Sequence, residues 1–218
     1  RYFQIASCFR DEDSRSDRQP EFHQIDLEMS FSDVSVLFPL IEQLMVTIFK
    51  ETIGIELKTP FRQMTYAECM EKYGCDKPDL RFNMPLHTIT QFCQEVEFQP
   101  FKEAIASNGI IKAICVEQAA DISRKGLDEI SAYVAQFGFK GIIWVKKQQN
   151  SFSSSISKYL EASTLEKIAN EVSMKEGDLV LILAGNTKSV HMTMDHLRRK
   201  IAKERNLINP KSWEFLWV

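Results

Sequence analysis

Alternation between apolar and polar side chains near the start of this 218-residue chain constrains the fold more than any other feature. Successive residues of a strand point to opposite faces of a sheet, so a period of two predicts a strand with one apolar face. Residues 1–10 and 21–31 both show this period around a charged segment, which predicts an antiparallel hairpin. We expect its apolar positions to face a core; they are Phe3, Ile5, Phe9, Ile25, Leu27, Met29 and Phe31.

The polar face of that hairpin collects groups that recognise charged ligands. An arginine binds phosphate or carboxylate through its bidentate fork, an aromatic ring stacks on a base, and a carboxylate pairs with an ammonium. Two interpretations remain open from alternation alone: the wet outer face of an ordinary antiparallel hairpin, or the floor of a pocket for a zwitterionic ligand. The side chains concerned are Arg10, Phe22, Gln24, Asp26 and Glu28.

Helical spacing of apolar residues follows the hairpin. It predicts a helix over 33–54, capped by Asp33 and closed by Gly54, and a second over 66–73 with Thr65 at a capping-box position. Beyond residue 85, buried strands at 109–116, 141–145 and 179–184 alternate with helices at 123–137, 164–172 and 189–204, and 150–155 is expected to be a polar loop. The pattern predicts an α+β chain whose later part is an α/β or α+β insertion with helices covering a sheet.

Composition excludes several classes of protein. The 27 Lys+Arg against 30 Asp+Glu give a net charge of −3, so no global basic field attracts nucleic acid. No run of about 18 apolar residues is present, so we expect no membrane contact. The five cysteines are odd in number and form no CxxC pair, which favours a reduced, cytoplasmic compartment and argues against a metal site.

The aromatic stretch at 213–218 and the start at Arg1 favour a piece of a longer protein.

The segment RYFQIASCFRDEDSRSDRQPEFHQIDLEMSF resembles motif 2 of the class II aminoacyl-tRNA synthetases, in detail that of bacterial-type aspartyl-tRNA synthetases. The later DKPDLRF, FKGIIWVKK and SWEFLWV also resemble that family. The resemblance implies a partial antiparallel-sheet catalytic domain over 1–85, an inserted α/β sandwich-like domain over 86–205, and a return strand over 206–218. The inserted domain resembles one shared with the B subunit of tRNA-dependent amidotransferases.

The same resemblance implies roles for individual residues. Arg10 is expected to be catalytic, bridging the ATP α-phosphate and the aspartate carboxylate. The expected ATP-binding residues are Arg10, Asp11, Glu12, Gln19 and Phe22, the last by stacking on adenine. The expected aspartate-binding residues are Arg10, Gln24 and Asp26. Arg15 and Arg18 are expected to approach the tRNA acceptor end, and no metal ligand is expected because the Mg²⁺ ligands would lie outside this piece.

The implied activity is ATP-dependent attachment of L-aspartate to tRNA through aspartyl-adenylate, in a parent enzyme that is a homodimer. Motifs 1 and 3 are not recognised, so the piece is expected to be inactive alone; the alternative is a non-catalytic tRNA- or protein-binding module. A basic helix containing Arg198, Arg199 and Lys203 is either a solvated face or a patch for the tRNA backbone. The sequence departs from the family pattern at Ser7, Ser14 and His23.

Overall fold

The computed structural model describes residues 1–13 and 18–218, a mixture of helices and mainly antiparallel sheets that confirms the α+β class. The strands are β1 (Tyr2–Phe9), β2 (Glu21–Glu28), β3 (Arg62–Gln63), β4 (His87–Thr88), β5 (Ile110–Val116), β6 (Ile143–Gln148), β7 (Ser151–Ser154), β8 (Leu179–Gly185) and β9 (Leu216–Trp217). The helices are α1 (Val34–Ile53), α2 (Tyr66–Tyr73), α3 (Gln99–Ala106), α4 (Arg124–Ala135), α5 (Ala162–Glu171) and α6 (Thr187–Glu204), with a 3₁₀ turn at Thr90–Phe92. The chain divides into two compact units, 1–61 and 62–218.

The first unit consists of the predicted hairpin and the first predicted helix. Strands β1 and β2 pair antiparallel, with Ile5 opposite Ile25. Helix α1 begins where the Asp33 carboxylate accepts a hydrogen bond from the Ser35 amide at 2.9 Å. It ends at Gly54, whose φ of 69° lies in the left-handed region that glycine adopts without strain. Both helix boundaries therefore follow from local sequence signals.

The apolar face of the hairpin is not buried as the alternation predicts. Phe3, Ile5 and Phe9 are about 70% exposed (71%, 69% and 71%), so they do not face a core within this chain. One helix beside two strands covers only a stripe of that face. The result is an open apolar groove of about 270 Å³, lined by Phe3, Ile5, Ile25, Leu27, Leu40, Ile41 and Leu44.

The second unit is built on a five-stranded antiparallel sheet in the order β4-β5-β8-β6-β7. Side chains of β8 alternate between two cores, with Leu181 facing one and Val180 the other. Helices α4 and α6 pack on the first face of the sheet, and α3 and α5 on the second. The central strands are thus buried on both sides, which explains their continuous apolar runs.

Residues 150–155, predicted as a polar loop, contain strand β7 at the edge of this sheet. Gln149 and Asn150 have φ values of 53° and 56°, and this pair of left-handed residues turns the chain back onto β6. Serine hydroxyls are tolerated there because an edge strand is open to water. The prediction of a loop was wrong because a polar segment that follows a tight turn can pair as an edge strand.

The compact units divide the chain at a different place from the predicted domains. Segment 62–85, assigned to the catalytic domain by resemblance, packs within the second unit. The Leu86 amide donates to the Lys72 carbonyl at 2.7 Å, and strand β3 pairs with β9. Helix α2 therefore adjoins the sheet of the second unit despite preceding the predicted boundary at 85/86.

Arg198 of the basic helix α6 is fully buried in the second unit. Its guanidinium lies 4.3 Å from the ring centroid of Phe82 and 4.9 Å from that of Tyr73. It donates to the carbonyl of Met84 through Nε and to that of Asp79 through both Nη atoms, each at 3.1 Å. The hypothesis that Arg198 contacts the tRNA backbone is therefore wrong, because the side chain is enclosed.

A second buried polar cluster joins α2 to β5. The fully buried Lys112 donates through Nζ to the Glu71 carbonyl at 2.8 Å and pairs with the Glu71 carboxylate. His191 lies nearby, and among the described residues its Nε2 is buried without a hydrogen-bond partner. Burial, and then the charge of Lys112, lower the pKa of His191. Protonating His191 in the folded chain is therefore unfavourable.

Replacing Arg198 by Met should lower the free energy of unfolding of the second unit by about 3 kcal/mol, because two carbonyls lose their donors in a buried site. Urea unfolding followed by tryptophan fluorescence measures this unit alone, since Trp144, Trp213 and Trp217 all lie in it. The matched control is Lys203→Met at an exposed position of the same helix, expected to change stability by no more than about 0.5 kcal/mol. Equal effects of the two substitutions would contradict the role given to Arg198.

Lowering the pH from about 7 to about 5 should destabilise the second unit. A histidine whose pKa is lower in the folded state is neutral in both states above its unfolded pKa of about 6.5, and below it the unfolded chain gains the proton first. The stability contribution is thus complete above that pH and is lost as the pH falls. Burial also lowers the pKa of His87, which acts in the same direction.

The measurement is urea unfolding at pH 7.5 and pH 5.5 for the unmodified chain and for His191→Gln. The fall in stability between the two pH values should be smaller in the variant, with the remainder due to His87. An equal fall in both proteins would show that His191 does not titrate as its burial requires.

Candidate functional site

The register of the hairpin places its polar side chains on one face. Gln4 lies opposite Asp26, Ala6 opposite Gln24, and Cys8 opposite Phe22. Since each strand alternates, all these even-numbered residues point to the same side, and the odd-numbered apolar residues point to the other. Arg10, Phe22, Gln24 and Asp26 therefore share one surface, which we call the polar face.

A cation and an aromatic ring occupy one end of the polar face. The guanidinium carbon of Arg10 lies 5.0 Å from the ring centroid of Phe22. The backbone amide of Arg10 donates to the Pro20 carbonyl at 2.9 Å. The Glu12 carboxylate lies 3.8 Å from Nη1 of Arg10 and 2.7 Å from Nη1 of Arg18. Both arginine side chains remain about half exposed, at 57% and 42%, so their donors are accessible to an incoming anion.

The other end of the polar face is acidic and hydrogen-bonded across the strands. Nε2 of Gln4 donates to Oδ2 of Asp26 at 3.3 Å, and Sγ of Cys8 donates to Oε1 of Gln24 at 3.1 Å. Oη of Tyr2 donates to Oε1 of Gln4 at 2.7 Å. The sequence alone assigns no role to Gln4 and Cys8. Their positions opposite Asp26 and near Gln24 follow only from the register of the two strands.

The two ends differ in charge. Asp26 lies four positions after Phe22, which is about 13 Å along a strand. A ligand that lies on this face meets guanidinium and a ring at one end and carboxylate at the other. The arrangement suits a molecule with a planar base and phosphate at one end and an ammonium at the other.

Several residues predicted to bind ligands lie beside the polar face without a defined contact. Asp11 and Gln19 are exposed in the segment that connects β1 and β2. Arg15, predicted to approach tRNA, and Ser14, a departure from the family pattern, lie outside the described residues. The polar face as described thus rests on the two strands and on Arg10, Glu12 and Arg18.

The other two departures from the family pattern lie on the opposite face of the hairpin. Oγ of Ser7 and Nε2 of His23 are 3.3 Å apart in directly opposed positions. Both residues are exposed there. Neither side chain touches the polar face.

Two other cations of helix α6 are paired within the helix. Nη2 of Arg199 donates to Oδ2 of Asp195 at 2.7 Å, and Lys200 pairs with Glu204. Of the predicted basic patch, Arg198 is thus enclosed and Arg199 is paired, whereas Lys203 is exposed. The interpretation of α6 as a solvated face with internal ion pairs fits these contacts better.

In the described part of the chain, no three His, Cys, Asp or Glu side chains come together as a metal site would require. Across residues 1–13 and 18–218, no helix combines the length and apolarity needed to cross a bilayer.

Comparison with known proteins decides the family. The sequence model of the tRNA synthetases class II (D, K and N) matches residues 1–218. The chain belongs to this family. The resemblance to the class II synthetases is therefore confirmed.

Individual relatives agree with the family assignment. The chain is 46% identical over all 218 residues to the aspartate–tRNA(Asp/Asn) ligase of Protochlamydia amoebophila, of which it covers 36%. It is 44% identical to the ligases of the same name from Chlamydia caviae and Chlamydia abortus, covering 37% of each. The chain thus spans little more than a third of the length of the curated relatives it matches.

Proposed function

We propose that this chain is part of an aspartyl-tRNA synthetase, which uses ATP to attach L-aspartate to tRNA through aspartyl-adenylate. The observation that carries the proposal is the polar face, where Arg10 and Phe22 lie at one end and Asp26 at the other. Its charge separation matches the two substrates that must meet. The relatives named as aspartate–tRNA(Asp/Asn) ligases support the choice of amino acid.

In the first step, a carboxylate oxygen of aspartate attacks the α-phosphorus of ATP, and the bond to pyrophosphate breaks. Negative charge develops on the α-phosphate oxygens in the transition state. The guanidinium of Arg10 is proposed to bind that phosphate and the substrate carboxylate together, which supplies fixed positive charge where it is needed. The protein forms no covalent bond in this step.

The adenine of ATP is proposed to stack on Phe22. Arg10 now lies over that ring, so stacking on the same ring face requires the guanidinium to move off it, toward the phosphate. Glu12, Asp11 and Gln19 are proposed to contact the ATP from the connecting segment. Loss of one cation–π contact is a small cost beside a charge-assisted contact with phosphate.

The ammonium of aspartate is proposed to pair with Asp26, with Gln24 beside it.

In the second step the 3′-terminal adenosine of tRNA attacks the activated carbonyl, and AMP leaves. Arg18, now paired with Glu12, and Arg15 are proposed to approach the acceptor end of the tRNA. Mg²⁺, a homodimeric parent and a cytoplasmic location are part of the same proposal, as is the assignment of 86–205 as the inserted domain.

Replacing Arg10 by Ala in the full-length protein should lower aspartate-dependent ATP–pyrophosphate exchange by about 100-fold or more, since one preorganised donor to a developing charge contributes on that scale. Circular dichroism checks that folding is intact. His23→Ala, on the opposite face of the same hairpin, should leave exchange within about twofold. Retained exchange in Arg10→Ala would contradict the proposal and favour a non-catalytic module that binds tRNA or protein.

The 218-residue chain alone should not catalyse the exchange at a measurable rate. Its described residues offer partners for the α-phosphate and the ammonium, while the relatives that carry out the reaction by name are almost three times as long. The measurement compares this chain with the full-length protein at equal concentration. Exchange at a near full-length rate would show that these residues suffice.

A further inference from the structure

Two hydrogen bonds link the first strand of the hairpin to the carboxylate of Asp26. Oη of Tyr2 donates to Oε1 of Gln4 at 2.7 Å, and Nε2 of Gln4 donates to Oδ2 of Asp26 at 3.3 Å. Tyr2 and Gln4 are two residues apart on β1 and so lie on the polar face with Asp26. We call these three side chains the tyrosine relay.

The relay has a single consistent orientation. A glutamine amide has an oxygen that only accepts and a nitrogen that only donates, and the two are exchanged by a flip of the side chain. Asp26 as a carboxylate needs a donor, so the amide nitrogen must face it. The hydroxyl of Tyr2 then donates to the oxygen at the other end, which holds the amide in this orientation.

The relay restricts the side chain of Asp26. The hydrogen bond from Gln4 to one carboxylate oxygen limits rotation of the carboxylate. In the described part of the chain, Oδ1 of Asp26 accepts no hydrogen bond, whereas Oδ2 accepts that of Gln4. One oxygen is thus held by the protein and the other is left for a ligand.

We propose that Gln4 and Tyr2 are positioning residues for the amino-acid substrate, acting through Asp26, which they hold ready to bind the substrate ammonium. This inference rests on the proposed function, because it assigns Asp26 to the aspartate end of the site. The ammonium is bound in both the ground state and the transition state. Weakening its binding should therefore raise the KM for aspartate and leave kcat almost unchanged.

The test uses aspartate-dependent ATP–pyrophosphate exchange by the full-length protein. Gln4→Met keeps the length of the side chain and removes its donor, and should raise the KM for aspartate about tenfold. The KM for ATP and kcat should stay within about twofold. Tyr2→Phe removes one exposed hydroxyl and should fold normally. It should raise the KM for aspartate about threefold, again with the KM for ATP and kcat within about twofold.

The double variant separates a relay from two independent effects. If Tyr2 acts only by orienting Gln4, the double variant Tyr2→Phe, Gln4→Met should have the same KM for aspartate as Gln4→Met alone. If the increases in the KM for aspartate of the two single variants multiply in the double variant, the relay is overturned. Ser7→Ala, on the same strand but on the opposite face, is the matched control and should leave all three kinetic parameters unchanged.

Other outcomes are equally decisive. A KM for aspartate within twofold of the unmodified protein in Gln4→Met, or an equal rise in both KM values, would overturn the positioning role while leaving the proposed function in place. Absence of aspartate-dependent exchange in the unmodified full-length protein would overturn both. If Gln4→Met fails to fold, Tyr2→Phe alone decides, because an unchanged KM for aspartate there contradicts the relay.

Discussion

Antiparallel pairing of β1 with β2 is the constraint on which the site depends. The side-chain period of a strand is two, so a slip of one residue would move every group to the opposite face. In the observed register Arg10, Phe22, Gln24 and Asp26 share a surface, and Gln4 meets Asp26 directly. The charge separation along that surface, and the hydrogen bonds that orient its acid, are consequences of this one alignment.

The two faces of the hairpin differ in how complete they are within this chain. The polar face is internally bonded, with Gln4, Cys8 and Glu12 each engaging a neighbouring site residue. The apolar face is partly covered by α1 and otherwise exposed. Local contacts along two strands are therefore enough to shape the polar face, whereas burying the apolar face requires more surface than one helix provides.

The second unit depends on buried charges whose partners are distant in sequence. Arg198 is satisfied by backbone carbonyls at Asp79 and Met84, and Lys112 by Glu71. Enclosed charges are stable only when each donor is matched, so the fold of this unit requires 62–85 to pack on the sheet and on α6. The same matching makes Arg198 unavailable for nucleic acid, although its sequence context is basic.

The local sequence determined the helix caps at Asp33 and Thr65 and the alternation of the hairpin, because these depend on residues close together in the chain. It also determined the family, because the family is recognised from short sequence motifs. The tertiary structure decided that Arg198 is enclosed and that 151–154 forms an edge strand. It also decided that Gln4 faces Asp26, 22 residues away. Burial and strand pairing depend on which distant segments come into contact. The periodicity within one segment contains no information about these contacts.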